Sequence, residues 1–404
     1  MNFIIQGALE NNLDAFARLR VSNPQTIFDS KQIYDEQPLF WDNQQISGGG
    51  TTTTYNTNQA SSTLAVSSLT AGHRVRQTYR RFNYQPGKSQ LIIRTGILGV
   101  SSIGITKRLG LFDSQNGLFF EQSITGLKVG VRSFTSGVAV NTTINQSDWN
   151  IDKLNGAGKS RITLDVTKTQ IYFFDFEWLG VGTIRYGVFI NGKPIYCHAI
   201  HNANIQTVVY MSTPNLPLRT EIINDGTGGV ANITDICSTV ITEGGREETG
   251  VVRGLNRTTN TLITNNDTSI YPLIGIRLKS THLGAYLELI DYALVCTSAA
   301  EYAWYMILNP TEAGVSPTWN SLSNSSVEYT YPSNTTSLTG GTILATGLGS
   351  DTATTRSVVN SLSKSDLTLG STIAGVADRF YFGVQRLTGT TETFYSCLTF
   401  TETV

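Results

Sequence analysis

Apolar and polar residues alternate with a period of two over long stretches of this chain, the signature of strands with one face buried. Val75, Gln77, Tyr79 and Arg81 oppose Arg74, Arg76, Thr78 and Arg80. Tyr84-Gln-Pro-Gly-Lys88 then reads as a turn centred on Pro-Gly. Ser89–Ile97 is a near-continuous apolar strand, and residues 108–112, 118–122 and 127–134 follow as short strands. Their spacing, about ten residues, suits a sandwich or jelly roll better than βαβ units. Over 170–200, Tyr172, Phe174, Phe176 and Trp178 share one face, while Ile171, Phe173, Asp175 and Glu177 share the other. Gly180-Val-Gly182 breaks that run. Thr183–Ile190 forms a second strand, and Asn191-Gly192 supplies the two positive-φ residues of a type I′ turn before the chain returns.

In the C-terminal part the alternation resumes at Tyr271, with Ile274, Ile276 and Leu278, then Ala285, Leu287 and Leu289, then Trp304, Met306 and Leu308. Phe380, Phe382 and Val384 keep the same register near the end. The first 47 residues hold too few apolar positions for a core, Pro24 and Pro38 block a long helix, and Gly48-Gly-Gly-Thr-Thr-Thr-Thr54 has the composition of a spacer. The predicted fold is all-β, with antiparallel β-sandwich or jelly-roll domains and an extended N-terminal arm. Its predicted divisions are an arm and spacer (1–50), a sandwich (51–240), a linker-like zone (241–267) rich in Gly and Asn, and a second β-rich domain (268–404).

Composition agrees with strands: 38 Gly, 3 Met and many β-branched residues among 404. Charged residues are 15% of the chain and the net charge is −1, against about 25% charged residues in an average soluble domain. A nucleic-acid partner is therefore not expected. The cluster Arg74, Arg76, Arg80 and Arg81 is expected to be a solvated strand face. Hydroxyls and amides dominate the polar residues, which suits a chain that packs against copies of itself. The four cysteines are far apart and are expected to be reduced thiols. Neither a signal peptide nor a membrane span is expected, since no apolar run approaches ~18 residues.

Each candidate for chemistry has a plainer competitor. Gly87-Lys88-Ser89 resembles the end of a phosphate loop, but Phe82 stands where the loop needs its first Gly. Gly180-Val-Gly-Thr-Ile-Arg185 lacks the third Gly and the following helix of a dinucleotide fingerprint. His198 and His201, three apart on a strand, point to opposite faces unless a bulge intervenes. Asp175 and Glu177 are spaced like a glycosidase pair, and equally like any half-exposed strand. Asp225–Gly229 and Asn265–Asp267 lack the acidic spacing of a calcium loop. Trp41 and Trp149 lie outside the predicted strands, as candidates for a binding surface or a packing plug. No metal or cofactor is expected.

The segment Asp14-Ala-Phe-Ala-Arg-Leu-Arg-Val-Ser-Asn-Pro-Gln-Thr-Ile-Phe-Asp-Ser-Lys31 resembles an N-terminal signature of virion structural proteins of tailed phages and large DNA viruses, with Ala17 where that pattern usually has Gly. Arg74-Val-Arg-Gln-Thr78, Tyr84-Gln-Pro-Gly-Lys-Ser89, Ser147-Asp-Trp-Asn150, Trp178-Leu-Gly-Val-Gly182 and Asn215-Leu-Pro-Leu-Arg219 are similar to the same family, over roughly the first 220 residues. The strand, Trp, Gly, strand, Asn-Gly, strand order of 170–200 also looks like the middle of a concanavalin- or laminin-G-like sandwich. The virion resemblance implies a non-enzymatic particle component, made in the host cytoplasm: a capsid-surface, decoration or vertex/tail protein. Expected partners are copies of itself, with a trimer foremost, and other virion proteins. The arm is expected to lie on a neighbouring subunit through Phe16, Arg18, Leu19, Arg20 and Phe28, so removing residues 1–47 should leave a folded protein. A carbohydrate-binding receptor module of a tail fibre, taking a glycan, is the alternative, and a sandwich glycosidase using Asp175 or Glu177 is a third.

Overall fold

The computed structural model describes residues 22–245, 250–297, 300–350, 355–358 and 368–403. Among them there is no α-helix, and every strand pairing is antiparallel. In chain order the first unit comprises β1 (Pro24–Lys31), β2 (Trp41–Gly48), β3 (Thr51–Asn56), β4 (Ser61–Val66), β5 (Gly72–Thr78), β6 (Ser89–Ile97), β7 (Ile105–Phe112) and β8 (Gly117–Ser123). It continues through β9 (Gly126–Ser133), β10 (Val140–Asn145), β11 (Gln170–Phe176), β12 (Thr183–Ile190), β13 (Lys193–His201), β14 (Leu218–Asn224) and β15 (Ala231–Glu243). An eight-stranded sheet has the order β13-β12-β11-β6-β15-β4-β3, with β1 also on β15. A seven-stranded sheet has the order β10-β9-β8-β7-β14-β5-β2.

The inner faces of these two sheets supply one core. Tyr172, Phe174, Ile184, Tyr186 and Ile92 meet Leu109, Leu111, Leu118, Phe120 and Val129. Phe120 sits at its centre, 4.9 Å from Tyr172 and 5.4 Å from Phe174 between ring centroids. The late strands β14 and β15 insert between strands formed much earlier in the chain, β5 with β7 and β4 with β6.

The second unit contains β16 (Val251–Ile263), β17 (Ile270–Leu278), β18 (Tyr286–Cys296), β19 (Glu301–Leu308), β20 (Thr311–Gly314), β21 (Asn320–Ser321), β22 (Val327–Thr330), β23 (Thr336–Thr339), β24 (Thr342–Ser350), β25 (Thr355–Val358), β26 (Arg379–Arg386) and β27 (Thr393–Thr403). Its sheets run β16-β27-β18-β25 and β20-β23-β17-β26-β19-β24, with β22 also on β17. Of the predicted apolar sets of this half, Ile274, Ile276, Leu278, Ala285, Leu287, Met306, Phe380, Phe382 and Val384 are in its core, Leu289 and Trp304 are half-buried against it, and Leu308 is buried outside that cluster.

Three sequence expectations are corrected here. Residues 24–50 are not a free arm: β1 and β2 are strands of the sandwich, and Phe28 is buried 5.1 Å from Phe82 and 5.9 Å from Phe40. Few apolar residues suffice there because the core that covers them comes from elsewhere in the chain. Phe16, Arg18, Leu19 and Arg20 lie outside the described residues. The Gly48–Gly50 spacer is a tight connection. Gly48 has φ +69°, and a Cβ there would lie 2.0 Å from the Ala71 carbonyl oxygen. The linker-like zone is also largely strand, since β15 runs to Glu243 and β16 pairs along β27. Asn191 (φ +53°) and Gly192 (φ +73°) form the predicted turn.

The two units are clasped together. Ser371 N donates to Tyr79 O (3.0 Å), Ile373 N to Asp42 Oδ2 (2.8 Å) and Asn215 Nδ2 to Gly284 O (3.1 Å).

Candidate functional site

Three places concentrate polar chemistry or uncovered apolar surface, and they differ in what a partner could reach. The first lies between the sheets of the first unit. Arg76 on β5 and Arg94 on β6 are fully buried, and both grip Asp235 on β15. Arg76 Nε donates to Asp235 Oδ2 (3.2 Å), and Arg94 Nη2 donates to Asp235 Oδ1 (2.6 Å). Trp41 presents its ring to both guanidinium groups, at 4.6 Å and 5.4 Å, and its Nε1 donates to Ser30 Oγ (2.9 Å). Arg76 Nη2 reaches Glu36 O (2.7 Å), and Gln32 Nε2 reaches Asp235 O (3.2 Å). The predicted solvated face is thereby corrected for Arg76 and Arg80, both buried: β5 turns Arg76 inward onto Asp235, and Arg80, just past the end of the strand, donates through Nη1 to Ile27 O (2.9 Å). Trp41 and Trp149 are both packing residues, each 2% exposed.

The second place is the outer face of the seven-stranded sheet. Glu221 on β14 is 1% exposed and accepts from Arg108 Nη1 (2.7 Å), Arg219 Nε (3.0 Å) and Arg132 Nη2 (3.4 Å), with His73 Nε2 at 3.2 Å. Burial by itself would raise the Glu221 pKa, but Arg219, the His73 bond, Arg108 and Arg132 together hold it well below the usual carboxylate range. Arg132 stacks near Phe112 and Phe119, and Arg108 on Phe119 (5.2 Å). This face is saturated by its own partners.

The third place is the outer face of the eight-stranded sheet. Register aligns Phe173 on β11 with Ile93 on β6 and Gly187 on β12, and Ile93 with Thr239 on β15. Leu91 lies beside Asp175 and Ile241, and Phe189 beside Ile171. The Phe173 ring lies tilted 4.8 Å from Phe189 and edge-on 5.1 Å from Tyr196. Leu91, Ile93, Phe189, Tyr196 and Ile241 are only half-buried, and Ile171 is exposed. Thr95, Thr239 and Cys237 fill the gaps between them, while the ion pair Asp175–Arg185 lies at one end. A contiguous half-covered apolar sheet face is the surface a protein partner would desolvate. The signal for it lay in Leu91-Ile92-Ile93: a strand apolar on both faces is covered on both.

The carboxylates singled out from sequence are not brought together as a working pair. Asp175 is buried, ion-paired with Arg185 and accepting from Tyr196 Oη (3.0 Å). Burial raises its pKa more than Arg185 and Tyr196 lower it. Glu177 is exposed, and its Oε1 accepts from Thr183 N (3.1 Å) across the Gly180 turn. The bulge in β13 lies at Cys197, before the pair, so His198 to His201 keep an unbroken register with β12 and point to opposite faces: His198 Nδ1 accepts from Asn150 N (3.2 Å) while His201 faces Thr183 Oγ1 (3.2 Å). Among the described residues no three His, Cys, Asp or Glu side chains converge on a metal position.

Between the two units a small cleft is lined by Phe28, Phe40, Tyr79, Arg80, Asn309 and Asp378. Asp378 accepts from Asn309 Nδ2 (2.8 Å) and Gly370 N (2.8 Å), so the acid is spent on holding the clasp loop.

No family model matches this chain, and no curated protein does. Among solved structures it is similar to the Bacteroides ovatus mixed linkage glucan PUL GH16 in complex with G4G4G3G product, at 7% identity and TM-score 0.37, over 53% of this chain and 99% of that one. It is similar to the CBM2 module of the evolved Dit of Lactobacillus casei BL23 phage J-1, at 6% identity and TM-score 0.35, over 56% and 99%. A legume lectin-like domain from Entamoeba histolytica gives 8% identity and TM-score 0.32, over 54% and 98%. Likenesses this remote carry no argument about activity or ligand.

Proposed function

We propose that this protein is a non-enzymatic structural component of a virus particle, a capsid-surface, decoration or vertex/tail protein that assembles with copies of itself and with other particle proteins. The carrying observation is the half-covered apolar outer face of the eight-stranded sheet, set on a sandwich whose other outer face is closed by its own ion pairs. Desolvating such a face against a partner releases free energy at about 25 cal/mol per Å² of apolar area, whereas the Glu221 face would first have to give up its charge-assisted hydrogen bonds. The resemblance of the segment around Asp14–Lys31 to virion structural proteins supports the same reading.

The test is incorporation into particles. Ile93→Asp combined with Leu91→Ser should leave folding intact, because both side chains lie on the outer face. It should reduce the protein recovered in purified particles by about tenfold or more, as expected when a charge enters the centre of an apolar contact. Normal recovery of a folded double variant would remove the reading.

A further inference from the structure

The edges of the first unit's two sheets are treated differently. On one side the short β2–β3 connection crosses from one sheet to the other, Thr51 Oγ1 donates to Gln45 Oε1 (2.9 Å) and Arg74 Nε donates to Thr53 Oγ1 (2.7 Å), so those edges lean on each other. At the opposite side the eight-stranded sheet ends in β13, which begins Lys193-Pro194 and carries a bulge. Charge, Pro and bulge are the usual means of blunting an edge. The seven-stranded sheet ends in β10, which has none of them. Its register with β9 runs unbroken from Val140↔Ser133 to Asn145↔Lys128. From Ser133 to Ser147 there is no charged residue and no Pro. Val138 and Val140 are 67% and 51% exposed, and among the described residues β9 is its one strand neighbour, with Trp149 Nε1 reaching the Ile144 carbonyl (3.3 Å) at one end.

We infer that β10 is a self-pairing edge, where a second copy of this chain adds its own β10 antiparallel to form one continuous sheet across a two-fold axis. The sequence of the strand suits this occupant. In an antiparallel pair, opposed residues share a face of the sheet, so a two-fold axis must pass through a residue. Placed at Thr142, it sets Val140 opposite Ile144 of the copy and Asn141 opposite Thr143. One face then matches apolar with apolar, and the other amide with hydroxyl. A neutral edge meets its own copy without like-charge repulsion, which a charged edge cannot do. The axis gives a closed dimer rather than a filament.

The biological use of this pairing rests on the assembly reading, but its experiment does not. The mass of the purified full-length protein in solution, over a concentration series, should be that of a dimer. A monomer or a trimer would overturn the inference while leaving particle incorporation to be judged separately. Thr142 is exposed and sits on the proposed axis, so Thr142→Lys brings two cations together and should weaken dimerisation by about tenfold or more. Thr142→Glu should do the same, and mixing the two variants should restore a dimer. Unchanged dimerisation of each single variant would overturn the inference, as would a mixture that stays monomeric although both variants are folded.

Discussion

Asp235 shows how a single residue decides whether a charged strand faces water or the core. Its two oxygens each hold one buried arginine, and Trp41 roofs both. Removing it leaves two guanidinium groups buried without their anion. Asp235→Ala should therefore cost about 3–5 kcal/mol, the usual scale for breaking a buried ion pair, measured by denaturant unfolding. Glu221 offers a pH test. Its folded-state pKa lies below the ordinary value of 4.5, so the stability it contributes is present in full above that value and is lost as pH falls below it. In Glu221→Gln that contribution is absent. The variant should be less stable near neutrality, and its unfolding midpoint should depend less on pH in the acid range. A midpoint that tracks the parent protein across the titration would contradict the assignment.

At the scale of elements, the clearest part of the sequence was the stretch from β11 to β13. Period-two alternation, a Gly break and Asn191-Gly192 left one local solution, and the observed pairing Ile171↔Phe189 through Phe176↔Ile184 follows from it. β1 was illegible for a physical reason. Its partner, β15, is some two hundred residues away, and Phe28 finds its cover in Phe82 as well as in Phe40 of its own segment. A strand short of apolar residues looks like a free arm until a distant strand is brought beside it. Phe28→Ala should cost about 3–5 kcal/mol, as for other buried aromatic residues. A loss well below 1 kcal/mol in thermal or chemical unfolding would return this segment to the role of an exposed stud.

For the whole molecule, the same fact relocates the boundary between fold and arm. Truncation of residues 1–21 removes no described strand, so the sandwich should keep its cooperative transition. Truncation of residues 1–47 takes away β1, nearly all of β2, and Trp41 with them, and should abolish cooperative unfolding of the first unit. Circular dichroism and a thermal scan of the two truncations check both outcomes. The apolar outer face was half-legible, since Leu91-Ile92-Ile93 announced a strand with apolar side chains on both sides. That it is continuous with Phe173, Phe189 and Tyr196 depended on register between strands far apart in the chain.

By itself the sequence determined that the chain is built of strands, where the long alternating ones lie, and which of their side chains face inward. Those properties are local, set by the two-residue period of a strand and by turn residues with positive φ. Only the tertiary structure decided which strands beyond the local hairpins are neighbours, that Arg76 and Arg94 share one buried carboxylate, and that Phe28 belongs to the core. Each of these depends on non-local pairing, and the alternation of one strand carries no information about the partner beside it.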